Sequence, residues 1–193
     1  MLSLIVGRAV LRFGSVTPEG FRTTFRTDES SDLDIAISPV TEGYADLLET
    51  RKGKLPINLD QWVEPDWEDC PMMIANGYPT EHKNEIGDQI AAPMISATAE
   101  VASRLGGQEK TFVLHSFLEV PHNAYLSGMS GGPVYVPVSE SELTPTGIIF
   151  EGGPSSKDSA QESIYSGPNS IFIRAYMLSP SIFDEWLDRC GLS

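Results

Sequence analysis

The segment Leu126-Ser127-Gly128-Met129-Ser130-Gly131-Gly132-Pro133-Val134-Tyr135 gathers the residue types that acyl transfer needs. A hydroxyl attacks a carbonyl best from a tight turn. There, backbone N–H groups can face the carbonyl oxygen as it gains charge, and glycines let the chain take that shape. Ser130 is the hydroxyl, Gly128, Gly131 and Gly132 surround it, and Pro133 leads into the β-prone Val134-Tyr135. A glycine-rich hairpin turn carrying an incidental serine is the competing reading of these residues. Asp34 stands at the head of a short apolar run, Ile35-Ala36-Ile37. A lone carboxylate in such a run stands out, its plain reading being a strand-edge group facing solvent; Asp32 is its neighbouring rival.

A serine hydroxyl is a weak nucleophile until a base takes its proton. The chain holds three histidines, His82, His115 and His122, and all lie after Asp34 in sequence. His115 falls in an apolar stretch and is expected to be a hydrogen-bonded core or edge residue, whereas His82 lies in a polar loop and is expected to be solvated. Cys70 and Cys190 have neither metal-ligand spacing nor a CxxC pair. They read as two buried thiols, with a single bridge between them left open. No metal or cofactor is implied.

These residues must be positioned by short strands. Residues 3–13 and 20–27 are β-branched, aromatic and Arg-rich around a Gly-Ser-Pro cluster, which suggests a hairpin. Further strands are expected at Pro71–Asn76, Gln89–Val101, Lys110–Leu118, Gly132–Val138, Pro145–Phe150 and Ser170–Tyr176. Tyr44 to Arg51 suits a short helix, and Gly152–Pro168 reads as a surface loop. From Pro180, the spacing of Ile182, Phe183, Trp186 and Leu187 predicts an amphipathic helix, with Ser179 or Ser181 as cap and Gly191 as stop. Many short strands predict an all-β barrel or sandwich.

With 13 basic and 27 acidic residues, the net charge is −14, so phosphate backbones and anionic membrane surfaces are repelled. Nucleic acid is therefore not an expected partner. No apolar run approaches the roughly 18 residues that span a bilayer. The first residues are too short in apolar length for a signal-peptide core, so a cytoplasmic location is expected.

The Gly128-x-Ser130-Gly131-Gly132-Pro133 segment resembles the chymotrypsin/trypsin-like serine peptidase family, whose nucleophile sits in such a segment before a strand. Asp34-Ile35-Ala36-Ile37 is similar to the family's triad aspartate at the start of an apolar strand. Asn76-Gly77-Tyr78-Pro79 resembles the segment opening the second barrel, Gly147 to Gly152 the strand lining the substrate groove, and the Trp186 helix the terminal helix. The resemblance implies an all-β fold of two antiparallel barrels. Residues 1–70 would form part of the first barrel and its connection, and residues 71–193 the second barrel with the helix. It implies Ser130 as nucleophile, Asp34 as orienter, and the N–H groups of Gly128 and Ser130 as oxyanion hole. Ala124, Phe150, Glu151 and Gly152 would line the peptide or protein substrate site. Ala124 at the pocket floor argues against cleavage after Lys or Arg. His122 would then be a pocket residue rather than a base.

One departure is large, because the family's histidine lies upstream of the aspartate and residues 1–33 contain none. The chain is expected to begin partway through the first barrel and, unaided, to be nearly inactive. A segment missing from the N-terminus, a partner chain supplying the histidine, and a pseudo-enzyme all remain open. The functional alternatives are a serine endopeptidase, a peptide-binding or scaffold module that has lost its chemistry, and another acyl-transfer or esterase activity.

Overall fold

The computed structural model describes residues 26–27, 35–37, 46–47, 49–51, 57, 61–69, 72–86, 89–105, 110–119, 125–139, 142–154, 169–189 and 191–192. Asp34, Cys70, His122, Ala124, Cys190 and the expected strand at 3–13 lie outside them. The chain forms two compact units, one of residues 1–62 with 180–193 and the other Val63–Ser179.

In the first unit, β1 (Arg26–Thr27) pairs antiparallel with β2 (Ala36–Ile37), Arg26 opposite Ile37. Asp46, Leu47 and residues 49–51 are helical, where Tyr44 to Arg51 suggested a helix. The C-terminal helix Pro180–Arg189 opens on proline, which lacks only an N–H that a first helical position would leave unused. Its period buries Ile182 and Trp186, and the Phe183 ring lies 6.2 Å from that of Trp62. Gly191 stops it at φ +63°: the Leu192 N–H reaches the Leu187 carbonyl at 2.9 Å, and the Gly191 N–H that of Asp188 at 3.0 Å. That pair is a Schellman cap.

The second unit is a closed antiparallel barrel of six strands: β3 (Met72–Gly77), β6 (Ile95–Leu105), β7 (Thr111–Phe117), β8 (Pro133–Pro137), β9 (Leu143–Gly153) and β10 (Ser170–Met177). The order around the barrel is β10-β7-β6-β3-β8-β9, and β9 closes on β10. β3, β6 and β7 run as consecutive neighbours, and β8 returns to lie beside β3, which is a Greek key. Alternate side chains fill the interior: Met73 and Ala75, Ala97 and Ala99, Phe112 and Leu114, Ile171, Ile173 and Ala175. Small residues on β3 and β6 leave room for Phe112, whose ring would be struck by any side chain at Gly147.

The expected strand at Gln89–Val101 is two strands. β4 (Asn84–Ile86) and β5 (Gln89–Ala91) form a separate hairpin, and β6 starts beyond Pro93, which cannot donate to a ladder. β9 also runs further than expected, taking in Gly152 and Gly153.

Candidate active site

Strand β7 ends at Phe117 and β8 begins at Pro133, so the Ser130 turn is a crossover between barrel strands rather than a free surface loop. Its anchor is Met129, which is 1 % exposed and belongs to the core with Leu126. With Met129 driven inward, the next residue along the turn, Ser130, is exposed. Burial of that methionine is a feature the sequence reading missed, although an apolar residue between Gly128 and Ser130 was its visible signal.

The glycines are needed for distinct reasons. Gly128 and Gly131 have φ of +90° and +82°, where a side chain strains the backbone. A Cβ at Gly128 would also overlap Thr80 Oγ1, and one at Gly132 would overlap the Asn76 carbonyl. Backbone bonds lock the turn to β9: the Gly131 N–H donates to the Ile149 carbonyl at 2.7 Å, and the Ile149 N–H to the Gly132 carbonyl at 2.8 Å. Within the turn, Gly132 N–H reaches Met129 O at 2.9 Å and Met129 N–H reaches Leu126 O at 3.1 Å. The N–H groups of Gly128 and Ser130 have no acceptor among the described residues.

Ser130 Oγ donates to the Phe150 carbonyl at 2.9 Å. A peptide carbonyl orients the hydroxyl but cannot take its proton. Phe150 stacks on Tyr176 with ring centroids 4.5 Å apart, and Gly152 lies against Leu126, where a Cβ would come within 3.0 Å. The Glu151 carboxylate is 3.1 Å from the Arg174 guanidinium on β10, with both side chains about half exposed. Pairing of β9 with β8 ends at Ile148 opposite Pro133, so the backbone of Glu151 and Gly152 has a strand neighbour on the β10 side only among the described residues.

The structure thus brings Gly128, Ser130, Phe150 and Gly152 together, and turns Glu151 toward Arg174. Asp34 and Ala124 lie outside the described residues. His115 is half-buried in the barrel wall, with its Nε2 2.8 Å from Ser170 Oγ, as a hydrogen-bonded strand histidine should be. His82 corrects its expectation of a solvated loop: its Nε2 is buried and has no hydrogen-bond partner. It ends the 3₁₀ turn Thr80–His82, which is docked on the Ser130 turn through a 2.8 Å bond from the Thr80 N–H to the Ser127 carbonyl.

Among the described residues no cluster of His, Cys, Asp or Glu could hold a metal ion, and no helix is long and apolar enough to cross a membrane. Compared with known proteins, the chain matches no protein-family model, no curated sequence and no solved structure.

Proposed function

We propose that this protein carries a serine acyl-transfer site of the trypsin-like peptidase kind, acting on a peptide or protein substrate once a histidine base is supplied to it. The carrying observation is the Ser130 turn: an exposed hydroxyl beside two backbone N–H groups, of Gly128 and Ser130, that no carbonyl among the described residues occupies. Such donors stabilise an oxyanion as it forms. The open backbone side of Glu151 and Gly152 suits an extended peptide laid down as a further strand. In this reading Asp34 orients an imidazole contributed from outside the described residues, the fold is a double barrel of the chymotrypsin type, and the protein works in the cytoplasm.

The reaction proceeds in balanced steps. The imidazole takes the Oγ proton as the oxygen bonds to the substrate carbonyl carbon. The returned proton leaves with the amine, and water then cleaves the ester. Without that imidazole, Ser130 is held by a carbonyl and should turn over very slowly. That same contact favours a second reading, a pseudo-protease that retains the groove as a peptide-binding or scaffold module.

The test is labelling by a fluorophosphonate, in which the Oγ–P bond forms, fluoride leaves and the proton goes to a base. The parent chain and Ser130→Ala are treated with and without free imidazole. Labelling that needs Ser130 and rises with imidazole is expected. No Ser130-dependent labelling at any imidazole concentration would replace the peptidase reading with the binding module.

A further inference from the structure

We propose that Thr80 is a positioning residue for the oxyanion site, its backbone N–H fixing the direction in which the Gly128 N–H points. The proposal rests on the serine acyl-transfer reading and deepens it. The carbonyl and N–H of a trans peptide point in opposite directions. In the Ser127–Gly128 peptide the carbonyl accepts from Thr80 N–H at 2.8 Å, so the Gly128 N–H points away from the 3₁₀ turn and stays without an acceptor among the described residues. A restraint is required here because glycine at 128 tolerates either sense of that peptide. Without the Thr80 bond, rotation of the peptide would replace the inner N–H with a carbonyl oxygen, which repels an oxyanion.

The residues around Thr80 hold it in place. Pro79 is almost wholly buried, His82 N–H donates to the Pro79 carbonyl at 3.3 Å, and Lys83 N–H donates to the Thr80 carbonyl at 3.1 Å. Within this turn Thr80 and Glu81 are exposed, while the ring Nε2 of the half-buried His82 is shielded. Thr80 Oγ1 meanwhile occupies the space a Gly128 side chain would need, so the two positions constrain each other.

The geometry provides a clean substitution. Thr80 is the first residue of its 3₁₀ turn, so its N–H serves no bond within the turn, and proline is tolerated there. Pro79 precedes it at φ −56°, ψ 140°, the conformation a residue before proline prefers. Thr80→Pro therefore removes one donor and sets a ring carbon against the Ser127 carbonyl, while suiting the local backbone. Thr80→Ala keeps the N–H and serves as the conservative variant.

In the full chain with imidazole, Thr80→Pro should slow fluorophosphonate labelling of Ser130 by about a hundredfold, the scale of losing one oxyanion donor. Thr80→Ala should restore the rate to near that of the parent. A second readout does not depend on reactivity. In amide NMR spectra the Thr80 N–H of the parent should be protected from hydrogen exchange. The Gly128 resonance should move in Thr80→Pro, with the barrel amides of Ala97 and Ile173 in place. Parent-like labelling in Thr80→Pro, equal losses in both variants, or an unprotected Thr80 N–H would overturn the proposal. A parent chain that never labels would defeat the serine reading alone, and the amide measurements would still decide the role of Thr80.

Discussion

Ser130 and Ser170 belong to the same barrel unit, and each holds a partner at close range: a backbone carbonyl at 2.9 Å for Ser130, a histidine ring at 2.8 Å for Ser170. Ser170 has the basic partner, but it is 1 % exposed and lies at the start of strand β10, paired opposite Phe117 in the barrel wall. Ser130 has the exposed turn and the free N–H groups, but no base among the described residues. The requirements for nucleophilic catalysis are thus divided between two sites. A serine beside a histidine is a packing solution when it sits in a sheet wall; a serine between glycines at positive φ sits on a turn that other residues could adopt only with strain.

The division can be attacked from either side. Met129→Ala should be the most damaging, costing about 2–5 kcal/mol in chemical denaturation because it empties a buried methionine site beneath the turn. Gly128→Ala comes next. Positive φ and the overlap with Thr80 should abolish the donor geometry and slow Ser130 labelling by roughly a hundredfold or more, with the barrel still folded by circular dichroism. On the other side, His115→Phe should cost about 1 kcal/mol in urea unfolding through the lost bond to Ser170, and leave Ser130 labelling as it was. If labelling fell with His115, the two serines would be coupled and the contrast between them would fail. The smallest effect concerns Tyr135, whose burial raises its phenol pKa above the ordinary value. A raised pKa means its contribution is intact below the ordinary phenol value and is lost as pH climbs toward the folded one. Melting temperature should therefore decline in alkali, less steeply in Tyr135→Phe, whereas acid should leave that contribution untouched.

Legibility in the sequence followed how local each cause is. Gly128 and Gly131 announced a tight turn because only glycine accepts such φ freely, and the helix from Pro180 to its Gly191 cap could be read residue by residue. Strands β3, β7, β8 and β10 fell within a residue or two of expectation, since alternation and bounding turns are written along each segment. The β4–β5 hairpin was missed although the sequence places the turn-forming residue types Gly87-Asp88 between the paired Ile86 and Gln89, because a continuous β-prone stretch from Gln89 hid the break at Pro93. Burial of the His82 ring nitrogen had no local signal. The Thr80 turn docks against Ser127 through a contact between remote parts of the chain, which no local pattern announces. The double barrel and the part played by Asp34 rest on resemblance.

Closure of the barrel by a Greek key has a kinetic consequence. The Ser130 turn is clamped by Asn76 to Thr80 from a remote stretch of the chain and by Ile149 to Pro154 from the strand that follows β8, so it is held on both sides only when β3 and β9 have both docked. Contacts of such long sequence separation form late, after the loop entropy between them has been lost. A refolding chain should therefore regain strand signal before its Gly128 and Thr80 amides reach their final environment, and the reactive serine should be the last part of the barrel to mature.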